Sequence, residues 1–328
     1  MRRSRRAPAH RGRHDRPRAS DAERSKMTIK VTQPWPPADS TAGAPAPHVE
    51  HLLAPNPSSW TYEGTNSYVI GHGGSSLIVD PGVPDDDHLQ TLMRMSLAGD
   101  RTPMAVLLTH DHPDHSDGAR EVAGVLGVPV LCLSPRFADE LPADGAVLDV
   151  DGLDVHVLHT PGHSDDSLCF WMPSTGALLT GDTLLGARSA GVMGRLGELL
   201  RSVEMLRALT ADRDAIGLPG HGPAFTDVAA SATRVIGVRT RRIDQVRGYL
   251  ADGDASLASL SARVYPDVTG TRAKFGESTV VSTLEYLAEI DGGIPDPLRE
   301  QVSAEIAEYY VERSRRHREE AAARAASH

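Results

Sequence analysis

Residues 46–225 of this 328-residue chain contain no lysine and carry 9 arginines against 24 Asp and Glu. A polypeptide of that charge does not gather a polyanion by long-range attraction. The flanks differ: residues 1–45 hold 11 Lys and Arg against 4 acidic residues, and residues 226–328 hold 14 against 16. Only two cysteines are present, Cys132 and Cys169, each inside an apolar run, so they are expected as buried strand thiols rather than a disulfide or metal ligands. No apolar run approaches the roughly 20 residues that span a bilayer, which excludes a membrane-spanning helix. The opening is arginine-rich but no apolar stretch follows it, so neither a secretory nor a twin-arginine signal is expected. The expected compartment is the cytoplasm. There is no internal repeat.

Against these absences stands one dense cluster, Thr109-His110-Asp111-His112-Pro113-Asp114-His115, directly after the apolar run 104–108. His110 and His112 alternate by two, so at the extended end of a strand both rings point one way and reach one cation. Asp114 and His115 are adjacent at a helix start and suit a second cation nearby. Three further loops follow apolar segments: Thr160-Pro161-Gly162-His163, Thr180-Gly181-Asp182 and Pro219-Gly220-His221. A single histidine beside glycine is ordinarily a turn or core residue, and Thr-Gly-Asp alone is a common turn. Three imidazoles and a carboxylate within six residues have no comparable structural explanation, and that cluster makes the later loops its expected partners. The seven expected ligands are His110, His112, Asp114, His115, His163, Asp182 and His221. Such a set holds two divalent cations roughly 3.5–4 Å apart, with a shared hydroxide as nucleophile, and Asp182 is suited to bridge them. Zinc is the expected metal, two ions per chain; iron and manganese are compatible, since His and Asp donors select weakly. Asp114 and Asp182 are the expected catalytic carboxylates. His72, His88, His156 and His159 are read as surface or core residues.

Along the chain, residues 1–47 are rich in Arg, Pro, Ala and Ser and are expected to be a disordered basic tail, with Met27 a second plausible start. Residues 48–227 form the expected catalytic domain. Strands are predicted at 67–70, 76–80, 104–108, 128–133, 154–159, 167–172, 177–180 and 215–218, and helices at 86–98, 114–126 and 196–209. Residues 228–296 form an expected small helical domain, with helices at 233–251, 256–265 and 277–290. The first of these carries an arginine-rich face. Residues 297–328 end the chain with a charged helix over 297–320.

These motifs, in this order, resemble the metallo-β-lactamase superfamily over residues 48–225, including Asp80 with its Pro81-Gly82. The resemblance implies an α/β fold, a four-layer αββα sandwich with the metals at one edge. It implies a first zinc on His110, His112 and His163, a second on Asp114, His115 and His221, and Asp182 between them. Asp80 and Thr109 become supports that orient ligands. Relatives with a redox di-iron centre usually carry Glu where His112 stands. Penicillin-destroying relatives usually lack an acidic bridging ligand and a final helical domain. The chain is therefore placed in the hydrolase branch.

Ala54-Pro55-Asn56-Pro57, the run from Tyr62 to Tyr68, and Leu218-Pro219-Gly220-His221-Gly222-Pro223 are similar to the β-lactamase-like protein 2 group. That resemblance implies a small winged-helix-like C-terminal domain. It also implies either ester or thioester hydrolysis, as in polyketide release, or cleavage of single-stranded RNA. The expected partners are a small-molecule or acyl-carrier substrate, or single-stranded RNA guided by the arginine-rich helix. A binding protein with a relic metal site is a third reading, set against the intact ligand set. Hydroxyacylglutathione hydrolysis is disfavoured, because cations for the glutathione carboxylates are not identifiable near the C-terminus. The chain departs from the group in the loop 184–191. Asn66 and Arg188 are the candidate substrate-loop residues, with Arg195 as a further anion contact.

Overall fold

The computed structural model describes residues 42–268 and 271–306. One six-stranded sheet runs β1 (Ala42–Ala46), β2 (Val49–Leu53), β3 (Asn66–His72), β4 (Ser75–Val79), β5 (Thr102–Leu107) and β6 (Val130–Leu131), in that order. The first four strands pair antiparallel; β4, β5 and β6 pair parallel. The second sheet runs β12 (Phe225–Thr226), β11 (Ile216–Pro219), β10 (Ala177–Gly181), β9 (Leu168–Met172), β8 (Leu153–His159) and β7 (Val147–Val150). Only β10 and β11 pair parallel there.

Parallel neighbours require a crossover, and helices supply each one. α1 (Asp86–Leu97) links β4 to β5, α2 (Pro113–Ser116) and α3 (Ala119–Leu126) link β5 to β6, and α4 (Leu196–Thr210) links β10 to β11. The strands are apolar on both faces, and alternate residues serve different layers. In β9, Leu168, Phe170 and Met172 fill the space between the sheets, while Cys169 and Trp171 face α4 and the C-terminal helices. In β4, Leu77 and Val79 point into the same central layer, while Ile78 packs under α1 and α3. Both cysteines are buried and unpaired, as expected.

Ordered structure starts earlier than the expected His48, because β1 pairs with β2 from Ala42. The single helix predicted over 114–126 is two helices. Gly118 N–H donates to Gly82 O (2.8 Å) instead of continuing the helical ladder, and the chain turns there. β7 was not predicted, although its signal is present. Asp151 (φ 50°) and Gly152 (φ 92°) form a two-residue connection between the paired Val150 and Leu153, the Asp-Gly signature of a tight hairpin.

After the second sheet come α5 (Val228–Ala251), α6 (Leu257–Val264) and α7 (Thr271–Asp291), and residues 296–306 are helical. The remainder of the helix expected over 297–320 lies outside the described residues, as does most of the 1–47 tail. No strand among the described residues follows Thr226, so this region is helical. Its apolar residues Val280, Leu284, Leu287, Leu298 and Val302 join Leu199, Val203 and Trp171 in one continuous cluster. No described helix is long and apolar enough to cross a membrane.

His51 in β2 is buried, and its Nε2 lies 2.8 Å from Asn66 Oδ1. Burial lowers its pKa from 6.5 to about 4, against the opposing bond to Asn66. The folded form thus prefers the neutral ring, so its contribution is complete above pH 6.5. It is lost as pH falls from 6.5 toward 4, by about 3 kcal/mol in all. His51→Gln is therefore expected to unfold with a shallower dependence of urea midpoint on pH in that window than the parent; parallel curves would refute this.

Candidate metal centre

The ligand-bearing loops leave the C-terminal ends of β4, β5, β8, β10 and β11 and converge on one point. Asp80 ends β4 in a left-handed conformation (φ 49°), which Asp tolerates better than most residues. That turn aims its carboxylate across to β5. Oδ1 accepts from Thr109 N (2.7 Å) and Oδ2 from Thr109 Oγ1 (2.6 Å). Oδ2 also lies 2.9 Å from His115 Nδ1. With its proton given to Asp80, the Thr109 hydroxyl accepts from His110 Nδ1 at 3.0 Å.

The same logic governs the other rings. His163 Nδ1 donates to Gly191 O (2.9 Å) and His221 Nδ1 to Gly64 O (3.2 Å). In each case the acceptor favours the tautomer that carries its proton on Nδ1 and turns Nε2 toward the centre. His110 Nε2, His112 Nδ1 and His163 Nε2 form one trio, with His112 Nδ1 2.9 Å and 3.0 Å from the other two. Asp114, His115 and His221 form the second, with Asp114 Oδ2 3.2 Å from His221 Nε2. Asp182 lies between them: Oδ2 is 3.7 Å from His163 Nε2 and 3.5 Å from His221 Nε2, and Oδ1 is 3.7 Å from His115 Nε2.

Burial pushes the His110 pKa well below the ordinary value and the neighbouring imidazoles add to this; His112 falls to about 3 for similar reasons. Burial opposes charge on His115 too, but Asp114 and Asp80 overcome it and raise its pKa to about 10. Asp182 is held below the usual carboxylate range despite its burial, by His221, His115 and His163.

Three observations fit this set to divalent cations. The donors are imidazole nitrogens and carboxylates facing one another with ligand atoms within 4.8 Å in each trio. Asp182 Oδ1 is buried without a hydrogen-bond partner, which costs stability unless something positive meets it. Position 220 admits no side chain: a Cβ there would lie 2.4 Å from Asp182 Oδ1 and 2.6 Å from His115 Cε1.

All seven expected ligands meet here, with Asp80 and Thr109 behind them. Asn66 does not line the cleft. It is fully buried, its Nδ2 donates to Pro219 O and Gly222 O (both 2.8 Å), and it clamps the loop that carries His221. Arg188 stacks 3.7 Å above the Tyr62 ring, and Tyr62 packs edge-on to His221. Arg195 pairs with Glu289 and Glu198. His88 is a core residue, bonded to Ser67 Oγ and Pro81 O.

The centre opens into a cleft of about 1130 Å³ between the sandwich and the C-terminal helices. Its walls include Trp60, Tyr62, Leu185, Met193, Val238 and Tyr265. Sequence reasoning read the loop 184–191, which contains Leu185, as bordering the cleft and Gly64 as part of a turn near the metals, but missed the other wall residues and the bonds made by the carbonyls of Gly64 and Gly191. Carbonyls leave no sequence signal, and Trp60 and Tyr62 lie in a loop without periodicity.

Asp80→Asn is expected to weaken zinc binding about 10–100-fold in competition with a chromophoric chelator. One amide oxygen cannot serve Thr109 N, Thr109 Oγ1 and His115 Nδ1 together. Unchanged affinity would show that the carboxylate does not orient the ligands.

A model of the metallo-beta-lactamase superfamily matches residues 60–138 and 133–221. The lactamase-like protein ptaB of Pestalotiopsis fici is 31% identical over 261 residues, 74% of this chain and 81% of its own length. An atrochrysone carboxyl ACP thioesterase, dmxR1 of a Cryptosporiopsis species, is 29% identical over 273 residues, 80% of each chain. Among solved structures, a metallo-beta-lactamase family protein of Thermus thermophilus aligns with a TM-score of 0.62 and 25% identity, covering 75% of this chain and 94% of its own. A beta-lactamase domain protein of Burkholderia ambifaria shares the fold, with a TM-score of 0.67 at 19% identity, covering 81% and 95%.

Proposed function

Because the chain belongs to the metallo-beta-lactamase superfamily, we propose that it is a dinuclear zinc hydrolase that cleaves the thioester of an acyl chain on a carrier. The observation that carries this reading is the seven-ligand centre at the floor of a large cleft with aromatic and aliphatic walls. Those walls suit an acyl chain rather than a polyelectrolyte. The thioesterase name of relatives matched over about four-fifths of their length supports the substrate class.

His110, His112 and His163 would hold one cation, Asp114, His115 and His221 the other, and Asp182 would touch both. When bound, two such cations bring the pKa of a ligating water toward about 7 and polarise a carbonyl oxygen. The chain's own groups do the rest. Asp80, Thr109, Gly64 O and Gly191 O keep the imidazoles in their ligating tautomers. Asp114, the carboxylate of the centre most open to the cleft, is held well below the usual carboxylate range by His115 and His221 against the effect of burial. It is therefore ionised and placed to accept a hydrogen bond from the attacking water and orient it. Water adds to the carbonyl carbon, the C–S bond breaks, and the thiol leaves with a proton while a carboxylic acid remains. Trp60, Tyr62 and Leu185 give the cleft apolar walls against which an acyl chain would pack.

RNA cleavage is the competing reaction. Two arginines of α5 that would guide a strand are committed within the protein: Arg234 to Gly186 O, and Arg247 to Asp244 and Asp291. The deciding experiment is a paired assay of zinc-loaded protein on an acyl thioester and a single-stranded RNA, with chelator-treated protein as the metal control. Thioester turnover that disappears with the metal and returns with zinc is expected. RNA cleavage with that dependence, and no thioester turnover, would replace this reading.

A further inference from the structure

Arg239 and Arg242 stand one turn apart on α5 and line the same cleft as His112, Asp114, His163, Asp182 and His221. Arg239 is 5% exposed, yet no described carboxylate pairs with it. Its Nη2 donates to Ser189 Oγ (2.9 Å) and Ala190 O, and its buried Nε has no hydrogen-bond partner. Arg242 is half-buried and also has no carboxylate. It donates to Val264 O (2.7 Å) and Gln245 Oε1 (2.9 Å) and lies 4.7 Å from the Tyr265 ring centre. Arg101 and Arg136 are paired, with Glu50 at 2.7 Å and Asp117 at 3.1 Å, and Arg234, which is half-buried and bonded to the carbonyls of Gly186 and Arg188, does not line the cleft.

A guanidinium withdrawn from water without a counter-charge is costly, and a second one beside it raises the cost. Such a pair is retained at a cavity wall when an anion completes it, since the planar fork matches two oxygens of a carboxylate or phosphate. The metal ligands line the same cavity, so one extended molecule can meet both.

We propose that Arg239 and Arg242 form a subsite for an anionic oxygen group, a phosphate or a carboxylate, on the part of the substrate remote from the reacting carbonyl. The identity of that substrate rests on the thioesterase reading; the subsite itself does not. Two sources carry the chemistry: the phosphate of a 4′-phosphopantetheine arm, or a carboxylate on the acyl group. Arg239 also holds the loop that presents Gly191 O to His163, so its removal has a positioning effect that the test must separate.

The test compares kcat/KM within two substrate pairs. One pair is an acyl thioester of 4′-phosphopantetheine and the same thioester of pantetheine. The other is an N-acetylcysteamine thioester with and without a terminal carboxylate on the acyl chain. The anionic member of one pair is expected to be preferred by about tenfold or more. Arg242→Gln and Arg239→Gln should each reduce that preference about tenfold, with Arg239→Lys retaining part of it. A phosphate preference assigns the subsite to the carrier arm, and a carboxylate preference to the acyl group. A purely positioning role would lower both members of a pair alike and leave the preference intact in both variants, which overturns the proposal, as does the absence of preference in the parent. If no thioester is hydrolysed, the thioesterase reading fails, and calorimetry decides the subsite alone. Its probes are S-methyl-4′-phosphopantetheine and S-(4-carboxybutyl)-N-acetylcysteamine, each against its uncharged counterpart. Tighter binding of an anionic probe that is lost in Arg242→Gln supports the subsite; equal binding within both pairs overturns it.

Discussion

Replacing Asp182 with alanine is expected to lower thioester hydrolysis by at least about 10³-fold, equivalent to about 4 kcal/mol of barrier. Asp182 lies within 3.7 Å of imidazoles from both trios. Its loss removes the contact shared by the two cation positions and the negative charge that balances them. Metal stoichiometry, read by elemental analysis after dialysis, should fall from two per chain toward one or none. Fold stability should fall in the metal-free protein, because His221, His115 and His163 hold this carboxylate below the usual range and lose its counter-charge on substitution. Activity within tenfold of the parent at two metals per chain would show that the two cation positions do not depend on Asp182.

The largest effect on folding is expected from Gly162→Ala. Gly162 has φ +136°, a conformation that side chains disfavour, and its Cβ would lie 2.3 Å from Leu199 Cα and 2.4 Å from Leu199 N. Those are backbone atoms of α4 and cannot swing aside. Either α4 or the Thr160–Ser164 loop must shift, and Gly194 N–H, bonded to Gly162 O, moves with it. A cost of about 3–5 kcal/mol follows from overpacking plus backbone strain. At this chain length that lowers Tm by roughly 10 °C. Since His163 is the next residue, metal affinity should fall as well. Gly99→Ala is the contrast. Gly99 also has positive φ (+69°), but nothing lies within 4 Å of its Cβ position, so only the left-handed strain of about 1–2 kcal/mol remains. Similar melting temperatures for the two variants would show that the close approach to α4 is relieved cheaply.

The candidate site was legible because metal-capable side chains impose narrow chemistry on short spacing. Alternation places His110 and His112 on one side of a strand end, and Asp114 and His115 follow at the start of α2, so the first four ligands needed no tertiary knowledge. His163, Asp182 and His221 were legible only as loops after apolar segments. The roles read for Asn66 and Arg188 differ from their surroundings in the fold. An asparagine in a turn near ligands is equally suited to touch substrate or to hold carbonyls, and only the position of the Pro219–Gly222 loop, more than 150 residues away, makes it a clamp. The arginine-rich face of α5 was visible as a charge pattern, but a helix bears arginines in the same spacing whether water or a cleft lies beside them.

The sequence by itself determined the cluster of metal-capable side chains, the apolar strands and the helical character of the C-terminal region. Each depends on residue type and local period, which a chain carries before it folds. Tertiary structure alone decided that Gly64 and Gly191 carbonyls set the tautomers of His221 and His163, and that Arg239 and Arg242 border the cleft. These depend on segments distant in the chain meeting at a few ångströms, and that meeting is set by the packing of two sheets and the helices around them, not by any local pattern.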